Sequence, residues 1–279
     1  MVYGEGFVKV REGKGEREVR AIDAHLHLDR IDPAHRQRFM KRLREDGIER
    51  VVAVATDERS CHELLALQAQ YPGRVAIALG YHPEQPWDEG EVKRVLHLIR
   101  THRQEIVAIA EVGLPYYSLP EEERQRGKGV QFLERVEPFV TLARELDLPL
   151  VLHAVHESTA PMLQLLRRYG IRRAHFHWLK APLAVVRQLV ETGYYVSVTP
   201  EVCYQTRDQE LVRQVPKHLL LVETDAPWPY PRLFPRQPTE PKMVWAAIRM
   251  IARLWGWDEE ATARQLYANT SHCYPQGNG

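Results

Sequence analysis

From residue 21 onward, eight short apolar runs alternate with longer stretches of mixed polarity. The runs are Ala21-Ile22-Asp23, Val51-Val52-Ala53-Val54-Ala55, Val75-Ala76-Ile77-Ala78-Leu79, Ile106-Val107-Ala108-Ile109-Ala110, Leu150-Val151-Leu152, Ala174-His175-Phe176, Tyr194-Tyr195-Val196-Ser197-Val198 and Leu219-Leu220-Leu221-Val222. A strand apolar on both faces is covered on both faces, as in a parallel sheet flanked by helices. Between the runs, Pro33 to Gly47, Ser60 to Tyr71 and Ala181 to Gly193 carry helical spacing, and the first and last of these end in glycine. Eight such β-then-α units predict an α/β chain folded as a (β/α)8 TIM barrel, with a doubly wound open sheet as the alternative.

The chain has 279 residues, enough for one barrel or two small domains. Residues 1–20 stand apart. Phe7 to Val10 and Glu16 to Arg20 flank Glu12-Gly13-Lys14-Gly15, which predicts a short β-hairpin extension at the barrel bottom. Residues 21–279 are expected to form the single barrel domain. Lys and Arg number 38 against 37 Asp and Glu. A protein that coats duplex DNA non-specifically is usually more basic, whereas one that grips only a strand end need not be. The three cysteines, Cys61, Cys203 and Cys273, are far apart and in no paired motif, which fits a reducing compartment. There is neither a long apolar run nor an apolar segment near Met1 of the kind a secretory signal carries. A cytoplasmic location without membrane attachment is the expectation.

In a β/α barrel, reactive groups sit at the C-terminal ends of the strands. Histidines and carboxylates occupy those places. His25 and His27, two apart on one strand face, close the first run. His82 follows the third, Glu111 the fourth, His153 the fifth, His177 the sixth and Asp225 the eighth. A lone histidine at a strand end more often makes a hydrogen bond than binds a metal, and a lone acid there often caps the next helix. Their joint placement points instead to a divalent-metal centre, because imidazole and carboxylate together suit zinc, manganese and similar ions.

Two dications held close together repel, so an anion must lie between them. Glu111, with two oxygens, is the candidate bridge. His25, His27 and Asp225 would complete one site, and His153 and His177 the other. His175, on the same strand face as His177, is open as an alternative for the last place. A water on such a pair would be the nucleophile, with Asp225 as the group that takes its proton. Glu111, Asp225 and His82 are the catalytic candidates. His156 is expected to face solvent or substrate, and His35, His62, His97, His102, His218 and His272 to lie on the surface.

Together these motifs resemble those of the TatD family of metal-dependent deoxyribonucleases, from about Ala21 to Tyr274. The family's D-x-H-x-H-L-D is Asp23-Ala24-His25-Leu26-His27-Leu28-Asp29, and its G-x-H-P is Gly80-Tyr81-His82-Pro83. Its G-E-x-G-L is similar to Ala110-Glu111-Val112-Gly113-Leu114, and its L-P-x-x-x-H to Leu148-Pro149-Leu150-Val151-Leu152-His153. Its E-T-D-x-P is Glu223-Thr224-Asp225-Ala226-Pro227, and Leu266 to Ser271 is similar to its Asn-containing last helix. The resemblance implies two divalent ions (Mg2+, Mn2+ or Zn2+), nucleic acid as substrate, and trimming of single-stranded DNA from the 3′ end. The family's spacing back from Gly193-Tyr194 favours His177 over His175.

The departures fall on the substrate side. Pro115 stands where the family has Asp, Val155 where it has Arg, and Trp178-Leu179-Lys180-Ala181 replaces x-F-S-G. Lys180 or Arg232 could supply a phosphate contact in compensation. Tyr81, Trp87, Tyr116, Tyr117, Trp178 and Trp228 could stack a terminal base; substrate contacts are expected from His82, Tyr116, Trp178, Lys180 and Trp228. The proline-rich Pro227 to Pro241 would form a wall over the same face. The alternatives are a barrel hydrolase acting on an ester, amide or aminoacyl-tRNA bond, and a non-catalytic metal-binding protein. The absence of a strand-end lysine to serve as a carboxylated bridge favours phosphodiester cleavage.

Overall fold

The computed structural model describes residues 19–275. Except for Val19 and Arg20, the expected hairpin lies outside the described residues. The strands are β1 (Ala21–Leu26), β2 (Ile48–Val54), β3 (Val75–Leu79), β4 (Ile106–Gly113), β5 (Leu150–His153), β6 (Ala174–Phe176), β7 (Tyr195–Val198) and β8 (Leu220–Val222). They lie in sequence order in one sheet, each parallel to the next. Past β8 the chain turns back to β1: Asp225 N–H donates to His25 O at 3.0 Å and His27 N–H to Ala226 O at 2.8 Å. The result is a nearly closed (β/α)8 barrel, and the open-sheet alternative falls away.

Ten helices follow among the described residues. They are α1 (Pro33–Lys41), α2 (Glu58–Gln70), α3 (Glu89–Thr101), α4 (Glu121–Gln125), α5 (Leu133–Leu146), α6 (Thr159–Tyr169), α7 (Leu183–Glu191), α8 (Thr206–Gln214), α9 (Val244–Trp255) and α10 (Glu259–Cys273). Several start as their sequences dictate. The carboxylates of Asp32, Asp57, Asp88 and Asp258 accept from the backbone N–H three residues on. Each such cap satisfies a donor the helix cannot, for about 1 kcal/mol.

The apolar side chains divide as the two faces of the strands require. One cluster fills the space between sheet and helices, with Leu26, Ile77, Ile109, Leu152 and Phe176 meeting Phe39, Leu64, Val95, Phe139 and Ile248. A second, smaller cluster contains Ile22, Val52, Ala78, Ala108, Val151 and Leu221 from the strands, joined by Cys273 and Tyr274 from the end of α10. It occupies the barrel interior, which is thus a packed core. Polar groups among the strand residues gather at the other end of that interior.

Candidate metal centre

Glu111 is the hub. It is fully buried on β4. Its Oε1 lies 2.8 Å from His177 Nε2, 3.0 Å from His153 Nδ1 and 3.3 Å from His82 Nε2. Its Oε2 lies 3.3 Å from His25 Nε2 and 3.6 Å from His27 Nε2. Asp225 Oδ1 lies 3.6 Å from His25 Nε2 and 3.5 Å from His27 Nε2. Three overlapping groups have ligand atoms close enough to share an ion: His25, His27 and Glu111; His25, His177 and Asp225; His82, Glu111 and His153. All the expected donors therefore converge, and His82 stands among them as near to Glu111 as His25 does.

Glycine makes this convergence possible. A Cβ on Gly113 would sit 2.0 Å from the carbonyl oxygen of His153, at a φ of +156° that side chains rarely adopt. A Cβ on Gly80 would sit 2.4 Å from the carbonyl carbon of Ala110. The β3 and β5 backbones can close on the Glu111 strand only where no side chain intervenes. Asp225 itself takes a left-handed φ of +49°. That conformation costs on the order of 1 kcal/mol and persists because neighbours over-determine it; here Asp225 N–H binds His25 O, and Trp228 N–H binds Asp225 O at 2.9 Å.

The donors fit a metal. Both ring nitrogens of His25 and His177, Glu111 Oε2 and Asp225 Oδ1 are buried without an aligned hydrogen-bond partner among the described residues. Buried polar atoms left so are expensive and rare. Of these, His25 Nε2 and His177 Nε2 lie beside oxygens of Glu111 and Asp225, which suits a cation between them. The ring planes of His25 and His177 stack 4.0 Å apart, with His177 Nε2 close to Glu111 but not aligned to donate.

Charge supports the same reading. Burial disfavours the Glu111 anion, but the facing His177, His82 and His25 outweigh it and hold the carboxyl well below its usual range. Burial lowers His27 well below the usual imidazole value, leaving it neutral with a lone pair to offer. His177 is raised well above its usual value despite burial, because Glu111 and Glu223 favour positive charge at that point. A divalent ion supplies such charge as a proton does. Burial raises Asp225 to about 6, against the lowering pull of His25 and His177.

A layer beneath holds the donors in place. Glu223 Oε1 lies 3.4 Å from His177 Nδ1 and accepts from Trp178 N–H at 2.8 Å. Burial would raise Glu223, but His177 and the other imidazoles bring it down to about 2. Asp23 accepts from the backbone N–H of Thr224 at 2.9 Å and from its hydroxyl, tying β1 to the segment that presents Asp225. His175 bonds Tyr274 Oη at 2.5 Å through Nδ1 and Ser197 Oγ at 2.8 Å through Nε2. It belongs to none of the donor groups. Glu84, which the sequence reading passed over, accepts from the N–H groups of Tyr116, Tyr117 and Ser118 at 2.7 to 2.8 Å. Its Oε1 also lies 3.1 Å from His153 Nε2. Burial opposes the Glu84 anion, yet these bonds hold the carboxyl far below its usual range.

The rim is aromatic and cationic. Trp178 and Trp228 meet edge to face at 5.5 Å, with Trp228 half exposed. Lys180 Nζ lies 4.0 Å above the Trp178 ring and donates to Tyr117 Oη at 2.9 Å. Tyr116 packs on His156, 4.6 Å between rings, so His156 is half-buried beside the rim. Arg232 lies over Tyr204. The proline-rich segment crosses this face, pinned by buried Tyr230, whose hydroxyl donates to Thr224 O. Three expectations need correction. Trp178 is buried with Lys180 over its ring, so it presents no open face to a base. Tyr81 is buried with its hydroxyl on Pro86 O, and Trp87 packs on it and on Arg135, so both rings are spent on packing. His35 is buried at the start of α1 against Phe39, not on the surface.

A nearly closed β/α barrel with a histidine–carboxylate cluster at the strand ends defines the class: a metal-dependent hydrolase. Residues 22–275 match the TatD related DNase family. The chain is 33% identical to an uncharacterized metal-dependent hydrolase of Haemophilus influenzae, over 91% of this chain and 98% of that one. It is 27% identical to the 3′-5′ ssDNA/RNA exonuclease TatD of Erwinia tasmaniensis, over 86% and 93%. The crystal structure of YjjV, a TatD homologue from Escherichia coli, superposes with a TM-score of 0.78 at 23% identity, over 92% of this chain and 98% of that one. The chain belongs to the TatD-related DNase family of hydrolases acting on ester bonds.

Proposed function

We propose that this protein is a two-metal 3′-to-5′ exonuclease that trims single-stranded DNA ends. The observation that carries the reading is the set of buried, unpartnered donor atoms around Glu111. Glu111 would lie between two ions, with His25, His27 and Asp225 to hold one and His153 and His177 to hold the other. The ions, Mg2+, Mn2+ or Zn2+, would neutralise phosphate charge and acidify a water toward neutral pH. The Asp225 carboxylate, which keeps a little contact with solvent, would take the proton of the attacking water. His82 Nε2, beside Glu111 Oε1, faces the reacting phosphate. On the rim, Lys180 would contact a backbone phosphate, while Tyr116 and Trp228 would offer faces on which a terminal base stacks, with buried Trp178 packed behind them. The name of the Erwinia relative supports the substrate and the polarity. All three cysteines are free, and no helix among the described residues is long and apolar enough to cross a membrane. These features support a place in the cytoplasm.

The test is turnover of single-stranded DNA labelled at its 5′ end, with Mg2+ or Mn2+, beside samples containing EDTA or the Glu111→Ala protein. A ladder of shortened products, absent from both controls, is expected. Intact DNA in the presence of bound metal would reject the DNA assignment and turn attention to the ester, amide or aminoacyl-tRNA bonds that the departures at Pro115 and Val155 leave open.

A further inference from the structure

His153 poses a question of protons. Its Nδ1 lies 3.0 Å from Glu111 Oε1 and its Nε2 3.1 Å from Glu84 Oε1. Two carboxylates cannot both accept from a neutral imidazole, which carries a single N–H. A metal ion on the Glu111 side would remove the conflict: Nδ1 would offer its lone pair to the ion, and Nε2 would keep the N–H that Glu84 accepts. A carboxylate in that position fixes the tautomer and ring orientation and makes the imidazole a better ligand.

Glu84 has a second set of partners. Oε1 also accepts from Tyr116 N–H at 2.7 Å and Tyr117 N–H at 2.8 Å, and Oε2 from Ser118 N–H at 2.7 Å. Three successive backbone donors pointing at one carboxylate form an anion nest. The nest belongs to the segment that carries Tyr116 and Tyr117 to the rim, where Tyr117 Oη in turn receives Lys180.

We infer that Glu84 is a positioning residue that joins the metal centre to the substrate rim, orienting His153 toward its ion and holding the 114–120 segment with the same carboxylate. The inference rests on the reading of His153 as a metal ligand. A free-energy link of this kind works both ways: whatever orders the rim segment through Glu84 also favours metal on His153, and the reverse.

The experiment titrates Mn2+ into the metal-free protein by calorimetry and follows amide exchange at residues 114–120, for wild type, Glu84→Ala and Glu84→Gln. In Glu84→Ala, affinity for one of two ions should fall about 10- to 100-fold, and the Tyr116, Tyr117 and Ser118 amides should exchange faster. Glu84→Gln keeps an acceptor for the segment but loses the charge, so it should recover protection more fully than affinity. Faster exchange with unchanged Mn2+ affinity would overturn the inference, leaving Glu84 a loop staple. Weaker Mn2+ binding with unchanged exchange would overturn the link to the rim. Wild type that binds no second Mn2+ would count against the two-metal reading itself, which separates that failure from this one.

Discussion

His175 and His177 share one face of the β6 end, two residues apart, and the fold treats them in opposite ways. His175 is saturated: Tyr274 takes one ring nitrogen and Ser197 the other. Burial, with Glu223 pulling the other way, lowers it to about 3, so it stays neutral. His177 has neither nitrogen in an aligned hydrogen bond, and its Nε2 faces Glu111 at 2.8 Å. One imidazole closes the packed interior and the other faces the Glu111 carboxylate of the candidate metal centre. The boundary between core and reactive centre is therefore one turn of the strand pleat, about 7 Å along the chain. What separates structural from reactive histidine here is where the second partner comes from, not residue type or depth.

The strongest way to break the contrast is to remove each ring in turn. His177→Ala should lower the rate of DNA cleavage by about 1,000-fold or more, about 4 kcal/mol of transition-state stabilisation. It should also bind one ion fewer by metal analysis, while circular dichroism stays native. Cleavage within tenfold of wild type would move His177 out of the centre. Gly113→Ala comes next. With a Cβ 2.0 Å from the His153 carbonyl oxygen, β4 and β5 must part. A loss of about 3 kcal/mol in denaturant unfolding is expected, with weakened metal binding because His153 moves. His175→Phe should cost less, about 2 kcal/mol, since it takes a buried partner from the Tyr274 hydroxyl and leaves Ser197 only the Trp178 N–H. Its measurement is paired: unfolding free energy should fall while metal stoichiometry holds. If His175→Phe lost an ion and kept its stability, the assignment of the two histidines would be reversed.

The contrast also shows what a sequence discloses. All eight strands were legible, with bounds within a few residues, because burial on both faces leaves a run of apolar residues that no other element of that length shares. The donors were legible because a barrel sends its functional groups to strand ends. The residues that support them were not. Glu84 lies in a loop with no periodicity, and its meaning comes from backbone groups 32 to 34 residues away. Asp23 and Glu223 stand inside the family motifs, yet their partners come from other strands: Asp23 needs closure of β8 onto β1, 201 residues away at Thr224, and Glu223 meets Trp178 N–H past β6, 45 residues away. Tyr274, near the chain end, shows nothing local that would place it in the barrel interior. His35 and Tyr81 depart for the converse reason: a helical or linking segment and a place near the barrel mouth suggest exposure, while their rings have apolar walls to fill.

The rim behaves differently from both histidines. Lys180 is held by a tyrosine hydroxyl and a tryptophan face, in contact with solvent, where a cation–π contact is worth about 0.5 to 1 kcal/mol. An exposed cation that meets substrate equally in ground and transition states contributes to binding and not to the chemical step. Lys180→Ala should therefore raise KM about three- to tenfold and leave kcat within a factor of two, with metal content unchanged. The loss should shrink as salt rises, because the contact it removes is screened. A fall in kcat at constant KM would place Lys180 with the reacting phosphate, so that the centre would reach to the rim instead of ending at the His177 layer.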